Sequence, residues 1–121
     1  MQVDDSHIYD IHADLCKAIA HRTRLMMVSL LEDGELSVGE LVSRLDISVA
    51  NASQHLRILR DNHIVQTRKE GQSVFYSLTD PRLPEVCSTI RSILIDGIER
   101  RNEMVHKLDK KSKTRHKKKQ I

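Results

Sequence analysis

Residues 37 to 79 carry two short helical patterns, a turn between them and then a pair of alternating strand patterns, and this order constrains the fold more than any other feature of the chain. Ser37-x-x-Glu40 is a capping box, in which each side chain satisfies a free backbone N–H of the other residue. It starts a helix whose Leu41, Val42 and Leu45 face inward, and Asp46-Ile47 makes the turn that follows. Ser48 is placed to cap the next helix, which turns Ala52, Leu56, Ile58 and Leu59 inward. Residues 64–70 and 73–79 then alternate as strands around Gly71-Gln72, a glycine-containing step suited to a tight hairpin.

The flanks are helical. Ile8, Ile11, Leu15, Ala18 and Ile19 recur at helical spacing over residues 5–19, and a second helix is expected over about 22–33, stopped by Asp33-Gly34. Asp80-Pro81 is expected to open a long last helix, with Asp as cap and Pro at the first helical position. Leu83, Val86, Cys87, Ile90, Leu94, Ile98, Arg101, Val105 and Leu108 form its stripe, interrupted late by Arg101. That stripe is longer than one small domain needs to bury, so with the first helix it reads as a dimer interface. The expected fold is therefore mainly α with a small β-hairpin, in the order α-α-α-α-β-β-α, a dimeric winged helix-turn-helix. Residues 1–108 would form one DNA-binding and dimerisation domain, and residues 109–121 a basic tail without order.

Composition agrees with helix packing. Aromatic residues are limited to Tyr9, Phe75 and Tyr76, with no Trp, so the core must be built from Leu, Ile, Val, Met and Ala. No run of 18 apolar residues exists and the amino terminus is acidic, which leads to the expectation of a cytoplasmic protein. Two cysteines are too few for a disulfide framework.

The second helix of the pair presents Ser48, Asn51, Ser53, Gln54, His55 and Arg57. Short hydroxyl and amide side chains can reach the donors and acceptors on base edges in the DNA major groove. Ser53 and Gln54 are the candidates for base edges, with Ser48 and Asn51 near phosphates or bases. Arg57, Arg68 and Lys69 suit phosphate oxygens, with Gln72 at the hairpin tip. His55 is equally compatible with packing inside the domain, a common role for a lone histidine. The net charge of +3 conceals an uneven distribution. Residues 107–119 alone carry +7, which leaves −4 on residues 1–106. Binding to double-stranded DNA must therefore rest on locally clustered cations, and the Lys-rich tail could add sequence-independent contacts to phosphates.

These residues resemble the ArsR/SmtB family of bacterial transcriptional repressors. The resemblance lies in Ile19-Ala20-His21-Arg22-Thr23-Arg24-Leu25, Glu35-Leu36-Ser37-Val38-Gly39-Glu40-Leu41, Ser53-Gln54-His55-Leu56 with Leu59-Arg60, and Arg68-Lys69-Glu70-Gly71-Gln72 with Tyr76-Ser77-Leu78. It covers residues 10 to 98 and implies a homodimer that represses transcription from an inverted-repeat operator and is released by an effector. The family's metal-sensing positions are not filled with ligands. Ser37 and Gly39 stand where one class has thiolates, and Asp80, Arg82, Ile93 and Asp96 where another binds zinc, so no metal and no cofactor is expected.

The segment around Glu35–Leu41 and the Arg68–Gln72 wing most resemble the HlyU, BigR and SqrR subgroup, which responds to sulfide-derived or oxidising species through a cysteine pair. Those positions correspond to Ser29 and Leu94 here, so the resemblance does not carry the sensor over. The cysteines present, Cys16 and Cys87, fall on the first and last helices, which the family places side by side. Either they form a redox pair or each is a small apolar residue in an interface. His12 stands one helical turn before Cys16, a spacing that alone is a weak signal for a metal. No Ser-His-Asp set, paired carboxylates or Gly-rich phosphate loop points to an enzyme. The competing reading is a nonspecific architectural DNA-binding protein driven by the basic tail.

Overall fold

The computed structural model describes residues 5–119, with the side chains of 112–119 excluded. The chain divides into a unit ending at Pro84 and a helical unit from Glu85 onward. The first unit contains α1 (Asp5–Ile19), α2 (Arg22–Leu30), a 3-10 turn (Leu31–Asp33), β1 (Leu36–Ser37), α3 (Val38–Leu45), α4 (Val49–Asp61), β2 (Val65–Glu70) and β3 (Ser73–Leu78). α5 (Leu83–Lys119) starts at the end of the first unit and, from Glu85 onward, supplies the second. The helices and the hairpin appear in the expected order.

The core of the first unit is aliphatic, as the scarcity of aromatics requires. Ala18, Met27, Val28, Leu31, Leu36, Leu41, Ala52, Leu56, Leu59, Ile64 and Val65 are buried together. Met27, Leu41, Leu56 and Leu59 lose all contact with solvent. Truncating one of these leucines to alanine removes apolar burial and leaves a cavity, at a cost of about 2–5 kcal/mol.

Three boundaries differ from expectation. The second helix stops at Leu30, and Leu31–Asp33 tighten into a 3-10 turn, a frequent way of ending a helix. Leu36 and Ser37 pair with Tyr76 and Phe75, so the hairpin is part of a three-stranded antiparallel sheet in the order β1-β3-β2. The last helix begins at Leu83, two residues later than expected, with Pro84 at its second position. Asp80 instead accepts from the Arg82 backbone N–H at 2.9 Å and forms a two-bond ion pair with its guanidinium. That pair holds the Asp80 carboxyl at about 2, well below its ordinary value.

The hairpin strands pair in strict register from Val65 opposite Leu78 to Glu70 opposite Ser73. Gly71 has φ +61, and Gln72 is not among the positive-φ residues. This is the pattern of a two-residue turn that requires glycine at its first central position. β2 buries only Val65, whereas β3 is half-buried from Val74 to Leu78 and packs Tyr76 and Leu78 against the core.

In the second unit, α5 is helical as far as Lys119, through the basic segment expected to lack order. Gly97 is its only glycine and Pro84 its only proline, and its lysines and arginines are good helix formers. At about 1.5 Å per residue its 37 residues span about 55 Å. Val86, Ile90, Leu94, Ile98, Val105 and Leu108 each leave half or more of their surface exposed in the single chain. Among the described residues, no helix is long and apolar enough to cross a membrane.

Candidate nucleic-acid interface

The geometry of α4 is set at both of its ends. The capping box is present on α3, with Ser37 Oγ accepting from Glu40 N and Glu40 Oε1 accepting from Ser37 N, each at 3.2 Å. α3 ends at Asp46 in the left-handed conformation (φ 53°, ψ 51°), and the Asp46 N–H donates to the Val42 carbonyl at 2.9 Å. Two residues later Ser48 caps α4, its Oγ accepting from Asn51 N at 3.1 Å. At the far end His63, also at positive φ (58°), turns the chain into β2. Thr79 Oγ1 donates to the His63 carbonyl at 2.6 Å, tying that turn to the residue after β3.

Between these joints α4 has two distinct faces. Ala52, His55, Leu56 and Leu59, spaced three and four apart, are buried. Val49, Asn51, Ser53, Gln54 and Arg57 are exposed. Arg57 lies 3.9 Å from Asp61 with both side chains mostly in solvent, an exposed pair of little energetic weight. Val49 is 59% exposed in the first turn of the helix, and sequence reasoning passed over it. The available signal was an apolar residue off the buried stripe, of the kind that can touch a thymine methyl group.

His55 does not belong with the outward residues. It falls on the buried stripe, and its ring packs against that of His21 at a centroid distance of 4.4 Å. His21 is itself the cap of α2, its Nδ1 accepting from Thr23 N at 3.1 Å. His55 Nδ1 and Arg24 Nε are both buried without a hydrogen-bond partner. Burial, then the neighbouring His21 and Arg24, lower the His55 pKa and favour the neutral ring. His55 is thus a packing residue behind the exposed polar face.

Arg68 is also placed differently from expectation. Its Nε and Nη2 donate to the two carboxylate oxygens of Glu35 at 3.1 and 2.6 Å, and its Nη1 donates to Glu70 at 2.9 Å. The guanidinium lies 4.8 Å from the ring centre of Phe75, its cross-strand partner. Hydrogen bonding to Arg68 lowers the Glu35 pKa, and the two carboxylates raise that of Arg68. Glu70 could have been found from the period of two along β2. Glu35 could not, because it is 33 residues away in sequence. Lys69 and Gln72 are exposed on the hairpin.

Cys16 is exposed on α1 and Cys87 is buried on α5, both as free thiols. Among the described residues, no group of three or more His, Cys, Asp or Glu side chains is arranged to hold a metal ion.

Comparison with known proteins gives a consistent result. The family described as "Bacterial regulatory protein, arsR family" matches residues 21–67, which run from the cap of α2 into β2. The "Transcriptional activator HlyU" of Vibrio cholerae is 54% identical over 65 residues, covering 54% of this chain and 60% of that protein. A "Biofilm growth-associated repressor" of Xylella fastidiosa is 38% identical over 81 residues, covering 67% of this chain and 71% of the relative. The solved structure of reduced HlyU from Vibrio cholerae superposes with a TM-score of 0.66 at 40% identity, over 73% of this chain and 93% of that one.

Proposed function

Because the chain belongs to the ArsR family of bacterial regulatory proteins, we propose that it is a DNA-binding transcriptional repressor that acts in the cytoplasm as a homodimer on an inverted-repeat operator. The observation that carries this reading is α4 itself. It is anchored in the core through Ala52, Leu56 and Leu59, jointed at Asp46 and His63, and polar on the opposite side through Asn51, Ser53, Gln54 and Arg57. A helix held this way can be laid in a major groove with its side chains pre-positioned. Ser53 and Gln54 read base edges, Ser48 and Asn51 lie at the groove edge, and Lys69 and Gln72 follow the adjacent backbone.

The dimer follows from apolar surface that one chain leaves in water. Ile8, Tyr9 and Ile11 on α1, and Ile90, Leu94 and Ile98 on α5, are each 45% or more exposed. A two-fold dimer would present two α4 helices to successive major grooves.

The test begins with selection of duplexes from a random pool, followed by fluorescence anisotropy on the selected and a scrambled sequence. Ser53→Ala and Gln54→Ala should each cost about 1–3 kcal/mol on the selected duplex and little on the scrambled one. Equal losses on both, or no enrichment from the pool, would leave only nonspecific association and sink the proposal.

A further inference from the structure

A wing arginine is the natural candidate for a phosphate contact, yet here all three guanidinium nitrogens already have carboxylate partners. Glu35 takes two of them in a bidentate fork and Glu70 takes the third. The guanidinium carbon sits over the Phe75 ring, 4.8 Å from its centre. The three side chains sum to a charge of −1, so the cluster itself offers a phosphate no net positive charge. Glu35 precedes β1, Arg68 and Glu70 lie on β2, and Phe75 lies on β3. The cluster therefore links three separate segments of chain outside the core, which the hairpin itself reaches through Val65, Tyr76 and Leu78.

We propose that Glu35 and Glu70 are positioning residues that hold Arg68 off the DNA, making Arg68 the brace that sets the angle of the wing and leaving Lys69 as its phosphate ligand. The proposal rests on the DNA-binding reading above. Arg68 suits this role because its rigid fork matches a carboxylate bidentately while its face stacks on an aromatic ring, which a lysine cannot do. Lys69 is the adjacent cation, and alternation along a strand points it to the opposite face of the ribbon from Arg68 and Glu70.

The test is the salt dependence of binding to the selected duplex for the wild type and for Glu35→Gln, Arg68→Gln, Lys69→Gln and the Glu35→Gln/Arg68→Gln double variant. Loss of one phosphate contact removes about 0.9 from the slope of log K against log salt concentration. Lys69→Gln should lose that amount and Arg68→Gln much less. Glu35→Gln and Arg68→Gln should each weaken binding by about two- to fivefold, the range of an exposed pair. The double variant should be no weaker than Arg68→Gln alone, because Glu35 acts through Arg68.

Hydrogen exchange on the DNA-free protein supplies a separate readout. The amides of Thr67–Val74 should lose protection equally in Glu35→Gln and Arg68→Gln and keep it in Lys69→Gln. A full slope loss in Arg68→Gln, with additive effects in the double variant, would make Arg68 a phosphate ligand and overturn the brace. Unchanged exchange in Glu35→Gln and Arg68→Gln would overturn it too, whether or not the DNA-binding reading survives. Loss of protection in both, combined with no preference for any duplex, would keep the brace and remove its DNA role.

Discussion

Replacing Ser48 separates its capping of α4 from the DNA contact proposed for it. Ser48 Oγ accepts from the Asn51 N–H at 3.1 Å, satisfying one of the donors that the first turn of any helix leaves free. Ser48→Ala removes that acceptor, at a typical cost of about 1 kcal/mol. Because α4 contributes Leu56 and Leu59 to the core, the loss should appear in global unfolding, as a Tm lower by about 4 °C. If the same free energy is lost from the DNA-competent first turn, affinity should fall about fivefold and no more. Ser48→Asp is the discriminating partner. Aspartate caps as well as serine and favours a helix N-terminus, so Tm should hold or rise. On DNA the added carboxylate faces phosphates, and affinity should fall further than in Ser48→Ala. Circular dichroism melts and anisotropy titrations at fixed salt measure the two quantities. An aspartate variant that binds as tightly as the wild type would remove Ser48 from the interface. An alanine variant with unchanged Tm would refute the capping argument.

Leu94→Asp places a charge in the middle of the exposed stripe of α5 and should convert a sedimenting dimer into a monomer; a wild type that sediments as a monomer at micromolar concentration would refute the assembly. His55 has a pKa lowered from its ordinary 6.5, so the unfolded chain takes up the proton first. Stability should be complete above about pH 6.5 and fall as pH drops toward the folded-state value, by at most about 1.4 kcal/mol per pH unit, and His55→Gln should flatten that part of the curve. Alkylation should modify exposed Cys16 in the native protein and reach buried Cys87 only when the chain unfolds, and equal labelling rates would contradict the burial.

The elements with strong local signatures were legible in the sequence. Ser37-x-x-Glu40 predicts its own two hydrogen bonds because both partners lie within one helical turn. Gly71 marks the wing turn because that turn needs a positive φ. The inward leucines of α4 follow from helical spacing, and so does the burial of His55, since position 55 lies on the same stripe as 52, 56 and 59. Polarity alone suggested the outward reading, and packing against His21 overrode it. β1 was hidden because two residues are too short to show alternation, and they also lead into α3. The partner of Arg68 was hidden because a contact across 33 residues has no local signal. The start of α5 was displaced because Asp80 could be satisfied equally well by the Arg82 backbone and guanidinium.

The two left-handed residues that bracket α4 also bear on how such a reader can change over time. Asp46 and His63 set the direction of the helix through backbone handedness, with φ near 55° at both. Aspartate tolerates that conformation, whereas the left-handed region costs most L-residues about 1–2 kcal/mol. Substitution at these two positions is therefore narrowly filtered, with β-branched side chains excluded. Asn51, Ser53 and Gln54, between the two joints, are exposed and hold up no part of the core. If those side chains read the operator as proposed, a lineage can retarget the protein by exchanging them one at a time, while the angle at which they are presented stays inherited.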